Sequence, residues 1–348
     1  MGRLPRRAIS WTAAVWSACA LVGTSPAGAA DAALVAAARQ EKEVVWYTVQ
    51  TIPQLVRPLV DAFEAKYGVT VSYVRANSSD VALRIENEAK GGRVLADVFD
   101  GTGTLPPLKR DNLVLAWVPD FTRTWPKEVT DPDAYWVATN YFVNTIAINT
   151  ELVPPAAEPH HWSDLLDPQW RGRMAWGSSP SSSAGPGFIA LILKDYGEEK
   201  GIAYLAALAR QDIAGIPVAA RQVLDQVIAG EYAIGIMMFN HHAVISAGLG
   251  APVKWLPFSP SLVTVNTVSV LKDAPHPNAA KLFVDFMMSE EGQAIFRDND
   301  YLPTHPLVPP RMPELIPDGK LFRGVFLSQD EIDAGMPGWM KLFGALFH

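Results

Sequence analysis

Between Val44 and Phe99 the chain alternates strand and helix patterns at short spacing, and this leaves few folds open. Val44 to Val49 is a strand-length apolar run. Pro53 to Tyr67 carries Leu55, Leu59 and Phe63 every four residues, the period of one helix face. Gly68 is placed to end that helix in a left-handed conformation. Val69, Val71 and Tyr73 then alternate with Thr70 and Ser72, as in a half-buried strand. Asp80 is placed to cap a helix carrying Val81 and Ile85, which closes at Gly91-Gly92. Ala96 to Phe99 is a further short strand, ending in Asp100-Gly101-Thr102-Gly103. Strand, helix, strand, helix, strand at this spacing predicts parallel βαβ units and an α/β fold.

The same grammar continues. Tyr141 to Asn149 alternates like a strand, and Ser163 is placed to cap a short helix over Asp164-Leu165-Leu166. Met174 to Trp176 reads as a strand opening into Gly177-Ser178-Ser179-Pro180-Ser181-Ser182-Ser183, with a helix from about Pro186 to Tyr196. Arg221 to Ala229 predicts another helix, closed by Gly230. Tyr232 to Phe239 is a buried strand, and Asn240, His241 and His242 follow where a strand presents its carboxyl end. Ligands of open α/β sheets bind at such ends. Val263, Val265 and Val268 mark a late strand. Helices follow from Asn278 to Met288 and from Ser289 to Phe296, and then a proline-broken tract.

The amino terminus reads as an export signal: Arg3, Arg6 and Arg7, an apolar stretch from Ala8 to Val22, and Ala27-Gly28-Ala29 as a cleavage pattern. Residues 1–30 are therefore expected to be removed, leaving a protein exported to the periplasm. They hold the only cysteine, Cys19, so the mature chain has no disulfide and must be held by its core. Removing three arginines and no acid takes the formal charge from −7 to −10. With no basic block, nucleic acid and anionic membranes are not expected partners. No nucleophile elbow, phosphate loop or dinucleotide fingerprint occurs, so no catalytic residue, metal ligand or cofactor is assigned and the chain is not read as an enzyme.

Several segments together resemble the periplasmic solute-binding proteins of ABC importers, in the family that includes the ferric-ion binders. They are Glu43-Val44-Val45-Trp46-Tyr47, Ala96-Asp97-Val98-Phe99, the run from Trp162 to Gly172, Gly230-Glu231-Tyr232-Ala233-Ile234, and His276 to Phe286 followed by Ser289-Glu290-Glu291-Gly292-Gln293. The resemblance implies a two-lobe, type 2 periplasmic binding fold. Each lobe would be a mainly parallel sheet flanked by helices, and two crossover strands would join them. Lobe one would be 31–137 plus 265–348, and lobe two 138–264. Ligand would sit between them, with closure by hinge motion.

Ferric members hold iron with a His, a Glu and two adjacent Tyr. Those positions align with Thr51, Thr102, His242 and Ala243, which cannot replace anionic oxygens around a hard ferric ion. The family's anion loop aligns with the serine-rich segment Ser178, Ser179, Ser181, Ser182 and Ser183. Its chemistry also stands alone, since hydroxyls and backbone N–H groups at a helix start bind anions. For His241 and His242 three readings stay open: structural residues, hydrogen-bond donors to an anion whose charge grows below about pH 6.5, or ligands of a soft metal. Because adjacent strand residues point to opposite sides, one of the pair, His242 on the alignment, is expected in the cleft.

The candidate ligand-binding set is thus Gln50, Thr51, Thr102, Ser178, Ser179, Ser181, Ser182, Ser183, Asn240, His242 and Tyr301. The expected function is an extracytoplasmic, monomeric receptor for a small anionic solute (an organic phosphate, phosphonate or carboxylate), delivering it to ABC permease subunits. The alternative is a receptor for ferric or another metal ion with substituted ligands.

Overall fold

The computed structural model describes residues 31–178, 184–317 and 319–347. The expected signal segment 1–30 and the candidate residues Ser179, Ser181, Ser182 and Ser183 lie outside the described residues.

The chain opens with α1 (Ala32–Glu41), β1 (Glu43–Thr48), α2 (Arg57–Tyr67), β2 (Thr70–Arg75), α3 (Ser78–Lys90), β3 (Val98–Asp100) and α4 (Leu105–Arg110). Gly68 takes φ 68° at the end of α2, as expected from its lack of a Cβ. Helix α3 begins earlier than the sequence pattern suggested. Asn77 is its N-cap residue, and Asp80 sits in the first turn, where its charge complements the helix dipole instead of capping it. The long strand β4 (Val137–Asn149) leads to β5 (Met174–Gly177), α5 (Ala184–Tyr196), α6 (Glu198–Leu208), β6 (Ala214–Ile216), α7 (Ala220–Ile228) and β7 (Ile234–Phe239). Before β5, the short 3-10 turn Trp162–Leu166 is capped by Asp164 reaching back to the N–H groups of His160 and His161, each at 2.9 Å, and not by Ser163. The remaining elements are α8 (Asn240–Gly248), β8 (Val253–Leu256), β9 (Ser261–Val270), α9 (Pro277–Met288), α10 (Glu290–Asp298), β10 (Leu302–Pro303), β11 (Gly324–Phe326) and α11 (Gln329–Leu346).

The strands form one continuous sheet in the order β2-β1-β3-β9-β4-β7-β5-β6, with β8, β10 and β11 beside the central pair. The outer groups pair in parallel: β1 with β2 and β3, and β5 with β6 and β7. Between them β4 and β9 run antiparallel, from Val137 opposite Val268 to Asn144 opposite Leu262. These two strands are the crossovers, and a separate core packs at each end of them.

The first core gathers Val44, Trp46, Phe63, Val98, Phe283 and Phe286. Its rings meet edge to face, Trp46 on Phe283 at 5.3 Å and Phe63 on Phe283 at 5.0 Å, an arrangement worth about 1 kcal/mol per pair beyond area burial. The second core gathers Trp162, Trp176, Phe188, Ile234 and Phe258. It also takes in Val325, Leu327 and Ile332, and Trp176 packs on Phe343 at 5.0 Å. Segment order along the chain predicts that all of 265–348 belongs with the first lobe. The carboxyl-terminal segment instead returns to the second core, because β11 adds to β9 at Ser261–Val263 and α11 then lies over α5.

Candidate functional site

A cavity of about 400 Å³ opens between the two cores. From the first side come Val49, Gln50 and Thr51 after β1, Arg75 at the end of β2, Asn77 and Ser78 at the start of α3, Thr102 after β3, and Tyr301. From the second come Ala219, Ala220 and Arg221 at the start of α7, Phe239 at the end of β7, and His242. The crossovers supply Phe142, Asn144 and Thr264. These positions cluster at carboxyl ends of strands, where helix starts and loops leave the backbone open to a ligand.

Local geometry explains how the lobe-one residues are presented. Gly101 has φ 140°, and a Cβ there would collide with the hydroxyls of Thr104 and Ser78. Only glycine makes that turn, and it delivers Thr102 into the cavity. Beneath it, the fully buried Asp100 accepts from Trp46 Nε1 at 2.8 Å and Val49 N at 3.0 Å, fixing the end of β1. Burial pushes its carboxyl up to about 6. Gln50 Nε2 donates to Asn140 Oδ1 at 2.9 Å, and Thr102 Oγ1 donates to the Val265 carbonyl at 2.8 Å. Tyr301 Oη lies 3.1 Å from Thr51 Oγ1, and burial raises its phenol above the usual range. All four of these expected contact residues thus also tie lobe one to the crossovers or to itself.

The histidine pair differs from expectation. Asn240, His241 and His242 are not a strand tip but the first turn of α8. Strand β7 carries a bulge at Met237, with φ 60°, where its register against β4 slips between Thr145 and Ile146. The extra residue re-aims the strand end, and the chain turns into helix after Phe239. Successive side chains therefore diverge by about 100° and not by the 180° of a strand. His242 lines the cavity, and His241 is fully buried behind it, the ring centroids 4.4 Å apart. Burial, together with the Arg221 charge, pushes His242 down to about 3. It stands as a neutral hydrogen-bonding group, which disfavours the one of the three readings in which its charge grows just below pH 6.5. His241 is likewise held well below the usual range, by burial first.

Two further candidates lie off the cavity lining. Asn240 is fully buried, donates through Nδ2 to the Leu315 carbonyl at 2.9 Å and accepts from His241 N at 2.8 Å, so it braces the loop and does not line the cavity. Ser178 bonds the Ile216 carbonyl through its N–H at 2.8 Å, extending the β5–β6 ladder, and it too is absent from the lining.

The charged residues were missed by sequence reasoning. Arg75 is exposed at the cleft and forms no ion pair among the described residues. Arg221 donates to Asp225 at 2.8 Å and to Ser246 Oγ at 2.9 Å, and reaches the His242 carbonyl at 3.4 Å. Neither stands in a motif. The available signal was Arg75's position at the carboxyl end of a predicted strand. Among the described residues no carboxylate lines the cavity, whereas two arginines do, one of them paired with Asp225 behind the lining. Among the described residues, no group of three or more His, Cys, Asp or Glu is placed to hold a metal ion.

Comparison with known proteins agrees with this architecture. Residues 79–333 match the family of bacterial extracellular solute-binding proteins. Iron uptake protein A1 of Synechocystis is 25% identical over 261 residues, covering 69% of each chain. The iron-bound structure of HitA from Pseudomonas aeruginosa superposes with a TM-score of 0.74 at 24% identity, over 87% of this chain and 99% of that one. AfuA from Actinobacillus pleuropneumoniae, with exogenous fructose-6-phosphate bound, superposes with a TM-score of 0.71 at 24% identity, over 87% and 98%. Two lobes, two crossover strands, a cleft at the carboxyl ends of both parallel strand sets and a family match over most of the chain lead to one conclusion. This chain belongs to the bacterial extracellular solute-binding proteins, the type 2 periplasmic receptors of ABC importers.

Proposed function

We propose that the protein captures a small organic anion, a phosphate, phosphonate or carboxylate, in the cleft between its lobes and hands it to ABC permease subunits. The observation that carries this reading is the cavity's charge: Arg75 and Arg221 line it, and among the described residues no acid does. An arginine forks onto carboxylate or phosphate oxygens through paired N–H donors, each such bond stronger than a neutral one. Neutral donors from Thr51, Ser78, Asn144 and His242 would complete the shell, with Gln50, Thr102 and Tyr301 beside them. Ser179, Ser181, Ser182 and Ser183 stay in the proposal on their sequence alone, as an added anion loop.

The lobes divide, on this reading, into 31–137 with 265 to about 323, and 138–264 with the carboxyl-terminal segment. Ligand held by one lobe favours closure through contacts from the other. Micromolar affinity would supply about 8 kcal/mol, part of it spent on closing. The mature protein is expected in the periplasm, as a monomer without catalytic activity.

The relatives point two ways. AfuA is described with fructose-6-phosphate bound, which fits an organic anion, whereas HitA and iron uptake protein A1 are named for iron. The second reading is therefore a ferric receptor. Against it stands the donor set, since the cavity offers one neutral imidazole, one phenol raised in pKa and no carboxylate to a hard trivalent ion.

A thermal-shift screen of the ligand-stripped protein tests both. Organic phosphates and carboxylates should raise the melting temperature, by the equivalent of about 2.7 kcal/mol at a hundred times the dissociation constant. A shift with ferric salts and none with any organic anion would replace this reading with the metal one.

A further inference from the structure

The cavity's apolar floor narrows the ligand further. Phe142 on β4 and Phe239 at the end of β7 stack with centroids 4.7 Å apart and planes 29° apart. Both are half-buried and both line the cavity. The stack is braced from behind: His241 lies 6.0 Å from Phe142 and 5.7 Å from Phe239, near-parallel to each, and 5.0 Å from the Tyr301 ring. Phe239 meets His242 edge-on at 5.3 Å. Ile52 and Pro53 add apolar surface from lobe one. The arginines stand elsewhere. Arg75 and Arg221, with Asn77 and Ala219, also line the adjoining groove that contains Pro217 and Gln222, so they mark the mouth.

We infer that the solute is an amphiphilic anion with a flat, aromatic body, its charged group held at the mouth by Arg75 and Arg221 and its ring seated on the Phe142–Phe239 stack. This rests on the organic-anion reading above and names the class within it. A rigid aromatic platform with one group edge-on suits offset stacking of a further ring. A polyhydroxylated body suits the site poorly. Among the described residues no carboxylate lines the cavity, so a bound polyol would meet no charged acceptor there. Hydroxyls pressed onto the phenylalanines would each lose hydrogen bonds with water, at about 1–3 kcal/mol apiece. A body of one or two rings with its anionic group fits within about 400 Å³.

The test is calorimetric titration of the purified protein with phenyl phosphate, glucose 6-phosphate and inorganic phosphate. Phenyl phosphate is expected to bind at least tenfold more tightly than either of the others, and Phe239→Leu should remove most of that advantage. If glucose 6-phosphate binds as tightly as phenyl phosphate or better, the aromatic body is wrong and the organic-anion reading stands. If none of the three binds, nor benzoate, both readings fall. Should Phe239→Leu not fold, the ratio among the three probes on the unaltered protein still decides.

Discussion

His241 and His242, neighbours in the first turn of α8, place their rings 4.4 Å apart with Arg221 bonded to the backbone beside them, and both stand neutral in the fold. Two packed imidazoles beside a guanidinium, one fully buried and one half-buried at the cavity wall, resist protonation. Folded His242 titrates near 3, whereas an unfolded histidine titrates near 6.5. Between those values the unfolded chain takes up a proton that the fold refuses. The stability held by neutral His242 is thus complete above about pH 6.5 and is lost as pH falls toward 3. Asp100, raised to about 6, acts in the opposite sense between about 4 and 6, so the comparison must be with a variant. The melting temperature of His242→Gln should fall less between pH 7 and pH 4.5 than that of the parent. Equal slopes would show that His242 is not held neutral.

His241 carries a second prediction. Neither ring nitrogen has a hydrogen-bond partner, and the ring is packed against Phe142, Phe239 and Tyr301. An unsatisfied buried polar atom costs about 1–3 kcal/mol. His241→Phe should therefore raise stability at pH 7 by about 1 kcal/mol in denaturant unfolding, with organic-anion affinity changed by less than threefold. A loss of several kcal/mol would mean the imidazole is bonded in solution.

Arg75 should separate binding from folding. It makes no ion pair among the described residues, so Arg75→Ala should leave the melting temperature of the ligand-free protein within about a degree. Affinity for an organic anion should drop at least tenfold, the scale of one charge-assisted contact. Arg221→Ala should lose affinity and also some stability, because Arg221 ties α7 to Ser246 and Asp225. Titration of both variants with the same ligand checks the contrast.

Gly101 cannot accept a side chain. Its φ of 140° is outside the range of other residues, and the added carbon would meet Thr104, Ser78 and Val49. Gly101→Ala should destabilise by about 2–4 kcal/mol and weaken ligand binding through displacement of Thr102, measured by urea unfolding and titration. A variant as stable as the parent would show that the turn relaxes freely.

Asp97 is a structural test away from the cleft. Wholly buried, it accepts from Val45 N at 2.7 Å, His276 N at 2.6 Å and His276 Nδ1 at 2.9 Å, joining β1 to the start of α9. Asp97→Ala would strand these donors and should cost about 2–5 kcal/mol in stability. Ligand affinity of the folded fraction should not change, since Asp97 does not line the cavity.

The alternation from Val44 to Phe99 made the first parallel group legible, because helix and strand periods differ and Gly68 marks a stop. The apolar runs at Met174–Trp176 and Tyr232–Phe239 were legible for the same reason. Thr51, Thr102 and His242 were reachable by alignment along loops that follow strands. The chain's turn into helix at Asn240 was not, because it depends on a bulge at Met237 that only pairing with β4 creates. Nor did α11 declare which core it covers. The pairing of β11 with β9 brings it over α5.

The sequence by itself determined the strand and helix order, the reliance on a core without disulfides and the family, since these follow from local periodicity, cysteine position and segment order. Only the tertiary structure decided what the cleft is made of. Arg75 and Arg221 lie 146 positions apart, and Phe142 and Phe239 lie 97 apart, on elements with no local reason to meet. They converge because β4 and β9 run through both lobes and gather the carboxyl ends of two parallel strand sets around one cavity. Charge and aromatic surface at a binding site are sums over such distant positions, and a periodicity read along the chain does not contain them.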